Sequence, residues 1–120
     1  MISKNLVVKA IIEKAENDFD DVEIKTSLVE GYEKPEKIII KGKEENGYSP
    51  DVLLRSKKTT DLYEVELEDK NYKLDKWRLF SLYSNKQNGN FNIVAPENNL
   101  HHLKEVLKEN QISAKIIYFT

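Results

Sequence analysis

The chain has 120 residues, 39% of them hydrophobic and 33% charged, a length for one compact domain rather than two. Its 19 basic and 21 acidic residues leave a net charge of -2, which excludes a strongly basic nucleic-acid coat but not a local basic patch. Cysteine is absent, so disulfide scaffolds, thiolate zinc sites, iron–sulfur clusters and cysteine nucleophiles are excluded together. A mean hydropathy of -0.63 and the lack of any apolar run near membrane length argue against a spanning helix. Met1-Ile2-Ser3-Lys4 lacks the apolar stretch of a signal peptide. The expectation is a single soluble, cytoplasmic domain over 1–120, with no membrane partner.

The first segment, about Asn5 to Asp18, predicts an amphipathic helix, with Val8, Ile11, Ile12, Ala15 and Phe19 recurring at spacings of three and four. Asn17-Asp18 and Asp20-Asp21 end it with poor helix formers. Val22 to Leu28 alternates apolar and polar residues and predicts a half-buried strand. Gly31 to Pro35 is a break, Ile38 to Ile40 a short strand, and Gly42 to Gly47 a polar turn. Asp51 to Leu54 predicts a strand opened by Pro50, a position where proline need not donate to the ladder. Arg55 to Thr60 is a polar turn, and Leu62 to Leu67 a second strand. A helix follows from about Tyr72 to Asn85, with Leu74, Trp77 and Phe80 on its apolar face, joined by Leu79, Leu82 and Tyr83. Asn88-Gly89-Asn90 breaks it. Phe91 to Ala95 is a strand, Asn98 to Asn110 a helix, and Ala114 to Phe119 a last strand. The second half alternates strand and helix, which asks for parallel pairing, whereas the first half suggests antiparallel hairpins. The fold class is therefore α/β, a single small domain with a central mixed sheet flanked by helices on both faces.

One strand breaks the pattern. In Leu62-Tyr63-Glu64-Val65-Glu66-Leu67-Glu68, side chains alternate, so Glu64 and Glu66 share a face opposite Tyr63, Val65 and Leu67. If the strand is central, these carboxylates point into a covered face, where an unpaired charge costs several kcal/mol. The alternative is the solvent face of an edge strand. A short turn to the preceding strand would bring Asp51 to the same face. Four turn residues, Lys57 to Thr60, pair Ser56 with Asp61 and set Asp51 opposite Glu66, with Glu64 adjacent. Three converging carboxylates with no arginine among them suggest a divalent cation as the missing charge. Without one, they would raise each other's pKa.

Pro50-Asp51, a short turn, then Glu64-Val65-Glu66 resembles the PD-(D/E)XK nuclease superfamily. Glu64 stands at its Asp/Glu position and Glu66 at the position usually held by lysine. Lys76-Trp77-Arg78-Leu79-Phe80-Ser81-Leu82-Tyr83 is similar to the helix after the core hairpin in small members, and Phe91 to Pro96 to the next strand. The resemblance runs from about Tyr48 to Phe119. It implies a restriction-endonuclease-like core and hydrolysis of nucleic-acid phosphodiesters, DNA foremost, with Mg²⁺ or Mn²⁺ held by Asp51, Glu64 and Glu66. Lys76 is the candidate for a relocated motif lysine, and the catalytic set is Asp51, Glu64, Glu66 and Lys76. Some restriction endonucleases also carry Glu at the lysine position. The family often adds a Glu from its first helix, and Glu13 and Glu16 are the residues available, though their spacing turns both to water. So small a core implies a homodimer or a partner subunit to grip a duplex. The rival reading is a catalytically inactive nuclease-fold domain that binds protein or nucleic acid.

Other residues carry less. His101 and His102 are adjacent on a helix, about 100° apart, and are poorly placed to chelate one ion. Trp77, Phe80 and Tyr83 at helical spacing read as core before they read as base-stacking residues. Arg55, Lys57 and Lys58 are expected on a turn beside the carboxylates, within reach of phosphate.

Overall fold

The computed structural model describes residues 2–40 and 43–120. Helix α1 spans Lys4–Asp18. Ser3 caps it, its hydroxyl accepting the Leu6 N–H at 3.3 Å, a bond worth about 1 kcal/mol. Val7, Val8, Ile12 and Ala15 are its buried residues. Each large one contributes about 1.5–3 kcal/mol, so packing rather than capping decides where α1 sits. Phe19 does not join that face. It adopts an extended conformation as the C-terminal cap, its N–H bonded to the Ala15 carbonyl, and its ring remains exposed.

Five strands form the main sheet in the order β1-β4-β5-β6-β7. They are β1 (Glu23–Lys25), β4 (Val52–Arg55), β5 (Thr60–Val65), β6 (Phe91–Pro96) and β7 (Lys115–Phe119). β4 pairs antiparallel with β1 and β5, while β5–β6 and β6–β7 are parallel. The sheet is mixed, as the alternation of elements predicts. Helices α2 (Leu74–Lys86) and α3 (Leu100–Glu109) make the two parallel crossovers. They cover one face, where Trp77, Phe80, Leu103 and Leu107 pack on Leu53, Leu62, Phe91 and Ile93. α1 covers the other face, against Val52, Leu54, Val65 and Val94. Leu82, expected on the apolar side of α2, faces out. A separate antiparallel pair, β2 (Ile38–Ile40) and β3 (Lys43–Tyr48), forms a small second sheet. Thus the polar segment expected to turn over Gly42–Gly47 is a strand from Lys43 onward, and Gly42 lies outside the described residues.

Two corrections bear on the site. The strand expected over Val22–Leu28 stops at Lys25. Thr26 is fully buried, and its hydroxyl donates to the Asp51 carbonyl at 2.7 Å and accepts the Leu28 N–H at 3.1 Å. These bonds take the chain out of the ladder and pin Asp51. The β4–β5 register is also shifted. Arg55 pairs with Thr60 and Val52 with Tyr63, so Asp51 stands opposite Glu64, not Glu66. The turn is shorter than expected: the Ser56 N–H bonds the Thr59 carbonyl at 2.9 Å, and the two hydroxyls meet at 2.7 Å. Arg55 Nε donates to the Thr60 hydroxyl at 3.3 Å, which draws Thr60 into β5. A shift of two preserves side-chain parity, so Asp51, Glu64 and Glu66 keep one face.

Candidate functional site

The site lies where β4 begins and β5 ends. Here the ladder gives way to a reciprocal side-chain lock. The Asp51 N–H donates to Glu64 Oε1 at 2.9 Å, and the Val65 N–H donates to Asp51 Oδ2 at 2.8 Å. Each carboxylate occupies the other strand's backbone donor, so the pair is fixed in orientation and adjacent. Just past the end of β5, the Glu66 N–H still bonds the Val94 carbonyl of β6 at 2.9 Å.

Two lysines from different helices answer these charges. Lys76, in the first turn of α2, places Nζ 2.6 Å from Glu64 Oε2. Lys4, in the first turn of α1, places Nζ 3.1 Å from Asp51 Oδ2. Glu64 is only 1% exposed. Its Oε2 is fully enclosed and, apart from the Lys76 contact, receives no hydrogen bond of good geometry. Burial, then repulsion from Asp51, pushes its carboxyl up to about 7, although Lys76 and Lys4 pull the other way. Glu66 is also pushed up, again by burial first, with Lys76, Lys4 and the Trp77 indole opposing. Desolvation, not mutual repulsion, is therefore the leading cause. Burial pulls Lys76 down, but Glu64, Glu66 and Asp51 outweigh it and hold the ammonium above its usual value.

The structure brings Asp51, Glu64 and Lys76 together. Glu66 is on the same face two residues along, with Lys76 and Trp77 acting on it. Among the described residues, no three His, Asp or Glu side chains stand placed to hold one metal ion as they are. The Glu64 Oε2 and Asp51 Oδ2 oxygens are of the hard type that divalent cations such as Mg²⁺ or Mn²⁺ take, and each stands against a lysine ammonium, Lys76 at 2.6 Å and Lys4 at 3.1 Å. Arg55, Lys57 and Lys58 do not adjoin this site. They occupy the opposite end of the β4–β5 hairpin, about 13 Å along the strand at roughly 3.3 Å per residue, and Arg55 pairs with Glu23 at 3.4 Å. Glu13 and Glu16 face water.

Sequence reasoning missed Lys4, Thr26 and a second cluster. Asp69, in the connection before α2, accepts hydrogen bonds from Tyr72 Oη and His102 Nδ1, the latter at 2.8 Å. The Tyr72 bond does most to hold the Asp69 carboxyl below its usual range. The Tyr72 ring packs on the Trp77 indole with centroids 4.8 Å apart. His101 turns elsewhere, to Glu105 at 3.0 Å, so the adjacent histidines do serve different partners. No helix among the described residues is long and apolar enough to cross a membrane. No protein-family model, curated protein or solved structure matches this chain.

Proposed function

We propose that this chain is a metal-dependent nuclease of the PD-(D/E)XK type, with a restriction-endonuclease-like core, hydrolysing nucleic-acid phosphodiesters, DNA foremost. The observation that carries the reading is the interlocked Asp51–Glu64 pair with the Lys76 ammonium against its inner oxygen. Asp51 and Glu64 would hold Mg²⁺ or Mn²⁺, with Glu66 as the third carboxylate. When bound, the ion polarises the phosphate and lowers the pKa of an attacking water. Lys76 keeps its proton at Nζ and, once Glu64 turns to the ion, offers it to a phosphate oxygen or orients the water. It takes the part of the motif lysine from a helix instead of from the strand. Thr26 and the backbone lock hold Asp51 in place, and buried Trp77 and Pro50 exclude bulk solvent. A second copy of the chain or a partner subunit would supply the remaining grip on a duplex.

One observation favours the rival reading, a non-catalytic nuclease-fold domain that binds protein or nucleic acid. Lys4 and Lys76 already neutralise both carboxylates, so the pair is electrostatically satisfied without a metal. Cleavage of plasmid, single-stranded and branched DNA in Mg²⁺, Mn²⁺ and EDTA separates the two. The nuclease reading expects metal-dependent cutting that Asp51→Asn and Glu64→Gln each abolish. Cutting that survives Asp51→Asn rejects the site, and binding without cutting in either metal establishes the rival.

A further inference from the structure

The two faces of the main sheet are not equally covered. Five strands spaced about 4.8 Å apart span roughly 19 Å, and a helix with its side chains is about 10 Å wide, so each face has room for two helices. α2 and α3 fill one face. α1 lies alone on the other, against Val52, Leu54, Val65 and Val94, and leaves the β7 side of that face open. A groove of about 610 Å³ runs there, lined by Ile2 and Leu6 at one end of α1, by Asp18 and Phe19 at the other, and by Ile117 and Phe119 of β7. It follows the 15 residues of α1, about 22 Å at 1.5 Å per residue. Seven large hydrophobic side chains are exposed among the described residues, and four of them, Ile2, Leu6, Phe19 and Ile117, line this groove. The apolar exposure is therefore gathered in one place, as at interaction sites, rather than scattered singly.

The charges around the groove define what fits it. Lys14 and Asp18, on the α1 side, neutralise each other at 3.1 Å. Where β7 ends, the groove opens into a second cleft of about 630 Å³, with which it shares Ile2, Phe119 and Thr120. Glu68 and Glu97 line that cleft. Both are exposed, and neither is ion-paired among the described residues. The open slot is apolar along its length and negative at one end. We propose that it docks an amphipathic helix of a partner protein, whose apolar residues at i, i+3, i+4 and i+7 pack between α1 and β7 and whose basic end meets Glu68 and Glu97. A second copy of this chain is poorly suited to the slot, since α1, α2 and α3 each turn their apolar stripe onto their own sheet. The docking needs no ion at Asp51 and Glu64, so it goes beyond the nuclease reading and does not depend on it.

The probe is a fluorescein-labelled peptide of about 14 residues, stapled because so short a helix is marginal in water, with leucine at the four anchor positions and two lysines at one end. A second peptide carries two glutamates in place of the lysines. Anisotropy titration of the full chain should show the lysine peptide binding about tenfold more tightly than the glutamate peptide. Glu97→Lys should erase that preference, and Ile117→Lys should weaken both peptides by about 10–100-fold. Both substituted side chains are exposed, so thermal melts should match wild type, and the Glu97→Lys result stands even if Ile117→Lys folds poorly. Equal affinity for the two peptides, binding indifferent to Ile117→Lys, or no binding of either peptide overturns the proposal. Wild type that self-associates in sedimentation equilibrium, through a contact that Ile117→Lys breaks, and that takes up neither peptide assigns the groove to a second copy and overturns it as well. Metal-dependent cleavage by Asp51 and Glu64 is decided separately from every one of these outcomes.

Discussion

Replacing Glu64 by glutamine should change the pH dependence of stability more than stability itself. Glutamine keeps the carbonyl oxygen that accepts the Asp51 N–H but cannot ionise. In wild type the Glu64 carboxyl titrates at about 7 in the folded protein, against an ordinary value of 4.5. The folded state therefore binds more protons than the unfolded state between those values. The resulting stability is fully present below about pH 4.5 and is lost as pH rises through about 7. Integrating the two titrations from pH 5 to pH 8 gives a loss of about 2.5 kcal/mol. Urea unfolding followed by Trp77 fluorescence at both pH values measures it. Other titrating groups largely cancel between wild type and variant. The wild-type midpoint should drop, relative to Glu64→Gln, by roughly 1–2 M urea between pH 5 and pH 8. A wild-type-minus-variant difference that is the same at both pH values would show that Glu64 does not carry a buried, proton-binding carboxyl, and the electrostatic account of the site would fail.

Lys76→Met removes the cation from a buried carboxylate, so it should destabilise by about 3 kcal/mol at pH 8 and by much less at pH 5, where Glu64 is protonated; paired urea melts test this, and cleavage should fall less than in Asp51→Asn. Asp51→Ala leaves the Val65 N–H without its acceptor and should cost about 1–3 kcal/mol in urea unfolding. Mg²⁺ at a hundredfold excess over its dissociation constant should stabilise wild type by about 2.7 kcal/mol, and Glu64→Gln less, in thermal melts with and without EDTA. Gly89→Ala should cost about 2 kcal/mol or more in the same melts, because a Cβ there would overlap the Thr60 carbonyl at the start of β5.

The face shared by Asp51, Glu64 and Glu66 was readable because strand side chains alternate with period two, and a two-residue register error leaves parity unchanged. The opposing partner of Asp51 was not readable. It depends on the length of the turn, and Ser56 and Thr59 close that turn through a hydroxyl contact with no periodicity to betray it. Lys76 was reachable from its place in the helix after the hairpin. Lys4 was not: it lies far upstream of Asp51 in sequence, just ahead of the helix expected from Asn5, and only the packing of α1 against the sheet brings it to Asp51. The Asp69–His102 pairing escaped for the same reason, since the connection before α2 and the first turn of α3 meet only after both helices have docked. β3 was hidden by its composition. Lys-Glu-Glu-Asn-Gly has the residues of a turn, but antiparallel pairing with the Ile38–Ile40 strand overrides that preference.

The tight β4–β5 connection has a kinetic consequence. A hairpin with so short a loop forms in about 1–10 μs, ahead of contacts that must close longer stretches of chain. It brings Asp51 and Glu64 face to face before α1 delivers Lys4 or the chain after β5 coils into α2 and delivers Lys76. The folding nucleus then carries two unscreened negative charges that the finished protein neutralises. Neutralising a carboxylate with Asp51→Asn should speed refolding at pH 8, while changes at Lys4 should act mainly on the unfolding rate. Stopped-flow chevrons would place the carboxylates early in the order of assembly and the lysines late.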